Sequence, residues 1–278
     1  MRKLAIGTAL SGALALTGLV APAASAAEST GLVFTDVTVN SGKAIVVGTT
    51  ATVKVPVTYT LTRPADLTID YENTFAGVML YRGTLDSMEN EIEPESAPSC
   101  TTTATTDTTV TEACTETLNI DPRDYLYEAA DAGTWKAGGF YCHLDQDTDA
   151  SDEHISFDYG FEAWGGLGTA RIQRAAKLTV NASPEPVKKG RTITVTGTLT
   201  RANWATGTYS GYTSQSVTLQ FKAKGADTYS TVKTVTSGTG GALKTTTKAT
   251  KDGSYRYVFA GTSTTAAKSA TGDYVDVK

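Results

Sequence analysis

Residues 191–200 read RTITVTGTLT, placing Ile193, Val195, Gly197 and Leu199 on one side of an extended chain and threonines on the other. A period of two suits a strand half-buried in a sheet and does not suit a helix. The same alternation returns at Val53, Val55, Val57, Tyr59 and Leu61, at Val217, Leu219 and Phe221, and at Tyr255, Tyr257 and Phe259. Turn formers such as Asp252-Gly253 punctuate these runs, and threonine, valine and glycine are plentiful where helix-forming runs are scarce. The chain is therefore expected to be all-β, with tandem antiparallel sandwiches as the way to bury one face of each strand.

Two sandwiches fit the length. Strands are expected at 32–39, 51–61, 66–71, 76–82 and 140–144 in the first, with an exposed acidic loop over 86–99. In the second they are expected at 177–182, 191–200, 216–222, 229–235, 242–249, 254–260 and 274–277. Internal echoes support repetition. A run from Gly48 ends in Leu61-Thr62-Arg63, and a run from Gly190 ends in Leu199-Thr200-Arg201. Asp131-Ala132-Gly133-Thr134-Trp135 and Asp252-Gly253-Ser254-Tyr255 each place an aromatic just past a turn. Residues 1–26 have the basic start, apolar stretch and Ala24-Ser25-Ala26 ending of a secretion signal. The reading is thus a signal peptide over 1–26, an acidic domain over 27–176 and a basic domain over 177–278. After cleavage no transmembrane segment is expected, and the protein is placed outside the cell or loosely on its wall.

Charge divides the chain. Residues 28–176 carry 24 acidic and 8 basic side chains, and residues 177–278 carry 5 acidic and 14 basic ones. The net charges are −16 and +9, and such asymmetry can orient a protein on a charged surface. Cys100 and Cys114 bracket a threonine-rich stretch and are the expected disulfide of the three possible pairings. Cys142 then remains free, as a small buried side chain.

The aromatic just past Asp252-Gly253 resembles the tyrosine corner of immunoglobulin-like domains, and seven short strands in a hundred residues suit that sandwich. A true immunoglobulin disulfide would need a partner on an early strand, and none exists. KLTVNASPEPVKKGRTITVTGTLTRANW, GYTSQSVTLQFKAKG and FAGTSTTAAKSATGDYVDVK resemble the C-terminal module of a family of small secreted actinomycete proteins. DAGTWK and the paired cysteines resemble the domain that precedes that module. Some relatives carry a calcium-binding label, so the resemblance implies calcium as a possible ligand, without a ligand set.

Three sites stand out. Asp145, Asp147 and Asp149 alternate in a loop, with Asp152 close behind, and such oxygen ligands suit calcium. Ala150 stands where an EF-hand loop needs glycine and Ser156 where it needs glutamate, so a solvated acidic loop is the simpler reading. Trp204, Tyr209 and Tyr212 lie among small residues, as in loops that stack on sugar rings; the alternative is that they plug the sandwich end. Trp164 is a weaker case of the same kind. Lys188, Lys189 and Arg191 form a basic cluster, joined in composition by Lys222, Lys224 and Lys233, that suits an anionic wall polymer better than nucleic acid. No Gly-x-Ser-x-Gly elbow, His-Glu-x-x-His pair or phosphate loop occurs, and both histidines, His143 and His154, flank the acidic loop. The expectation is a non-enzymatic binding or adhesion protein whose partner is a cell-wall polysaccharide, an anionic wall polymer or another extracellular protein. Its rivals are a calcium-binding extracellular protein and an accessory or inhibitor of a hydrolase.

Overall fold

The structure is a computed structural model that describes residues 29–146 and 157–278; the expected signal sequence lies outside the described residues. Among the described residues, ten strands make the first sandwich. They are β1 (Val33–Val39), β2 (Ile45–Val47), β3 (Val53–Pro64), β4 (Thr74–Thr84), β5 (Ser87–Ile92), β6 (Ser99–Thr105), β7 (Thr109–Ile120), β8 (Gly133–Gln146), β9 (Phe157–Trp164) and β10 (Thr169–Arg174). One sheet has the order β1-β3-β7-β6 and the other β2-β10-β8-β4-β5, with β9 also beside β8. A tight turn at Asn40–Gly42 moves the chain from the first sheet to the second, where β2 pairs with β10 in parallel. Every other pairing in this sandwich is antiparallel among the described residues. This is the strand order of an immunoglobulin sandwich with a divided first strand.

Alternation decides what is buried. Val55, Val57, Leu61, Val78, Leu80, Leu118, Ile120 and Ile172 all point between the two sheets, around a Trp135 that is 0% exposed. The Trp135 indole N–H donates to the Asp131 carbonyl at 2.9 Å, so the ring closes the turn it follows. Asp131 is itself fully buried and fully used. Its carboxylate accepts from the Tyr127 and Glu128 amides at 2.7 and 2.8 Å, from Asn90 at 3.0 Å and from the Arg82 guanidinium. A buried charge persists when its lone pairs are filled in this way.

The second sandwich comprises β11 (Ala176–Leu178), β12 (Asn181–Ser183), β13 (Thr192–Asn203), β14 (Thr208–Gly211), β15 (Ser216–Ala223), β16 (Ser230–Thr236), β17 (Ala242–Lys248), β18 (Gly253–Phe259), β19 (Lys268–Ser269) and β20 (Asp273–Val275). In one sheet β11 and β12 flank β13 on one side and β17 and β14 on the other; the second sheet runs β16-β15-β18, then β19 and β20. Ile193, Val195, Leu199, Val217, Leu219, Leu243 and Tyr257 fill the space between them. Gly197 lies in that inward row because a Cβ there would stand 2.3 Å from the Thr179 carbonyl and 3.0 Å from the Tyr257 ring. The echoed segments occupy matching places, since Leu61-Thr62-Arg63 lies in β3 and Leu199-Thr200-Arg201 in β13. One residue, Ala175, separates β10 from β11.

The disulfide joins Cys100 to Cys114, which face each other across β6 and β7, and Cys142 is free and buried. Three expectations need correction. Residues 66–71 are not a strand: Asp70 accepts from the Glu72, Asn73 and Thr74 amides, each at 2.9 Å, and so folds the chain into a turn. Residues 86–99 are not all loop, because Ser87–Ile92 pairs with β4 and buries Ile92, leaving both prolines beyond the strand end. At the corner of the second sandwich, the anchoring hydroxyl belongs to Tyr257, which donates to the Val195 carbonyl at 3.0 Å, while Tyr255 stacks on Phe221.

Candidate binding surfaces

The aromatic hairpin β13–β14 is where the two sandwiches meet. Trp204 is 4% exposed and belongs to the core of the first sandwich. Its indole N–H donates to the Gly48 carbonyl at 2.8 Å, and the Arg174 guanidinium lies 4.8 Å from its ring centre. Lys177 sits 3.8 Å over Tyr209, which also packs on the first core, and Arg201 sits 4.1 Å over Tyr212, which packs on the second. Each aromatic of the expected ligand loop thus already has a cation on one face. Trp204 is a junction residue, with no open face for a sugar ring. Trp164 is half-buried against Phe34, ring centres 5.5 Å apart.

Backbone hydrogen bonds lace the same junction. The Ala175 amide donates to the Val47 carbonyl at 2.8 Å, the Arg174 amide to Thr264 at 3.0 Å and the Ala266 amide to Arg174 at 3.0 Å. Gln173 adds a side-chain bond to the Thr262 carbonyl at 2.7 Å. Arg174 is buried and bonds the Glu128 carbonyl at 3.2 Å; burial first, then the nearby Arg201, pulls its pKa down.

The opposite end of the second sandwich gathers cations. Lys188, Lys189 and Arg191 lead into β13, and Lys248 closes the strand that pairs with its start. The Lys189 amide donates to the Lys278 carbonyl and the Lys278 amide to Val187, both at 2.8 Å, which brings the C-terminal lysine alongside. The Gly190 and Ala249 amides tie the two loops together at 2.7 and 2.9 Å, drawing in Lys251; Lys224 joins through a 2.8 Å amide bond to Asp252. All seven side chains are exposed, and among the described residues the one ion pair in the group is Lys224 with Asp252 at 3.8 Å. The sequence pointed to four of these members, Lys188, Lys189 and Arg191 by proximity and Lys224 by composition. Lys222 and Lys233 stand apart, the first over the Tyr229 ring and the second bonded to the Thr246 carbonyl.

In the first sandwich Glu116 is 7% exposed, accepting from the Val78 amide of the opposite sheet at 2.9 Å and from the Tyr59 hydroxyl at 3.2 Å. Burial lifts its pKa to about 7, and burial then Glu91 lift Glu93 to about 7. Burial also pushes the Cys142 thiol up, which leaves it protonated and a poor nucleophile. Asp147, Asp149 and Asp152 of the expected calcium loop lie outside the described residues, as does the side chain of Asp145.

No protein-family model and no curated protein matches the chain. Among solved structures, a crystal structure of domains from titin matches 84% of this chain and 62% of its own, at 10% identity and a TM-score of 0.22. The full ectodomain of mouse nectin-like molecule 4 matches 87% of this chain and 65% of its own, at 14% identity and a TM-score of 0.22. The chain therefore spans less than two thirds of each.

Proposed function

We propose that this is a secreted, non-enzymatic binding protein that holds an anionic polymer of the cell surface at the basic end of its second sandwich. The observation that carries this reading is the seven-cation cluster assembled by backbone hydrogen bonds that join Lys224 and the 188–191, 248–252 and 278 segments. Such a cluster, fixed in place yet exposed, offers a repeated polyanion several contacts at once, each weak and screened by salt. The acidic first sandwich repels the same polymer and so orients the molecule with its second domain inward.

The test is co-sedimentation with particles of an anionic wall polymer. The protein is expected to pellet at low ionic strength and to release by roughly 0.5 M salt, where the screening length falls to a few ångströms. The triple variant Lys188→Gln, Lys189→Gln, Arg191→Gln should remain in the supernatant at salt concentrations that hold the parent. Retention that ignores both salt and these substitutions overturns the reading.

A further inference from the structure

The first sandwich has eight basic side chains against 24 acidic ones, so each cation has carboxylates in abundance to pair with. Arg63, Arg82 and Arg123 do so, Lys136 bonds the Gly83 carbonyl, and Arg174 is held in the junction. Lys43, Lys54 and Arg171 have no partner among the described residues. Two of those three, Lys43 and Arg171, line one groove of about 330 Å³.

The topology brings them together from 128 positions apart in sequence. Parallel pairing sets Ile45 of β2 opposite Ile172 of β10, so Lys43 and Ala44 come up beside Ala170 and Arg171, while β8 sets Thr134 opposite Arg171. The turn carrying Lys43 is fixed, because Asn40 donates to the carbonyls of Lys43 and Ala44 at 3.0 and 3.2 Å. Thr134 and Thr169 line the groove with hydroxyls that bond nothing else among the described residues, over a floor of buried Val39 and Ala170. Two unpaired cations, two unused hydroxyls and an apolar floor match an oxyanion on a hydroxylated ring with one C–H face.

We propose that this groove binds an acidic saccharide, with Lys43 and Arg171 on its oxyanion and Thr134 and Thr169 on its ring hydroxyls. The site is separate from the basic end of the second sandwich and does not depend on the function proposed for it.

The experiment titrates the protein at low salt with trigalacturonate, a sulfated disaccharide and a neutral trisaccharide, following backbone amide shifts by NMR. Carboxylate and sulfate are distinguished by which acidic probe binds. Shifts are expected at Gly42, Lys43, Ala44, Thr134 and Arg171, with affinity falling about tenfold in Arg171→Gln and in Lys43→Gln, the loss of one charge-assisted hydrogen bond. Lys54→Gln removes the same charge outside the groove and should leave the shifts of the groove amides and their affinity unchanged. All these side chains are exposed, and thermal melts verify that each variant folds. Equal loss in Lys54→Gln, equal binding of the neutral sugar, or no binding of either acidic probe overturns the proposal.

Discussion

Glu116 is a carboxyl caught between two sheets. Its folded pKa of about 7 lies above the ordinary glutamate value, so the folded protein holds a proton there that the unfolded chain gives up near pH 4.5. The stability tied to that proton is fully present below about pH 4.5 and is lost as pH rises through about 7, an effect on the order of 3 kcal/mol. Glu93 is shifted the same way. Glu116→Gln keeps an acceptor for the Val78 amide and carries no charge, so urea denaturation should show its advantage over the parent growing between pH 5 and 8. An advantage independent of pH contradicts this assignment. The placement was legible in part: Glu116 falls on the same side of its strand as Cys114, Leu118 and Ile120, so alternation alone puts it in the core. Which groups would meet it was not legible, because Val78 lies 38 positions away on another sheet.

Strands with one apolar face were readable because their burial follows from a local period. β5 was not, since its polar residues suit the edge place that pairing with β4 gives it, and only Ile92 reports the core. The 66–71 segment failed for the opposite reason: Leu67 and Ile69 alternate like a strand, but Asp70 captures three amides and bends the chain. Hairpin β13–β14 shows a third limit. Its aromatics were visible, and their role depended on Gly48, 156 residues upstream. At this scale the disulfide makes a clear prediction. Cys100 and Cys114 clamp the exposed edge strand β6 to β7, and replacing both with serine should lower stability by about 3 kcal/mol, chiefly by freeing the unfolded chain. Denaturation of parent and variant under the same oxidising conditions checks it, and a loss concentrated in β6 amide protection would locate it.

For the whole molecule, the junction fixes how one sandwich stands on the other. Trp204→Ala removes a buried indole and the bond to Gly48, which should cost about 3–5 kcal/mol and loosen the joint. Small-angle scattering should then show a broader range of dimensions than for the parent, with both sandwiches still folded by circular dichroism. Unchanged scattering would mean that the backbone bonds around Arg174 and Ala175 hold the joint without it. The basic end was legible as the Lys188–Arg191 run and Lys224, while Lys248, Lys251 and Lys278 arrive through hydrogen bonds from segments 57 and more positions beyond Arg191.

A linker of one residue has a metrical consequence. With Ala175 as the whole of the connection, the span from the first sandwich to the far tip of β13, itself roughly 35 Å long, is a constant of the protein, as on a caliper with its screw tightened. On the two binding proposals above, one acidic chain that reached both the Lys43–Arg171 groove and the basic end would have to present its charges at that fixed spacing.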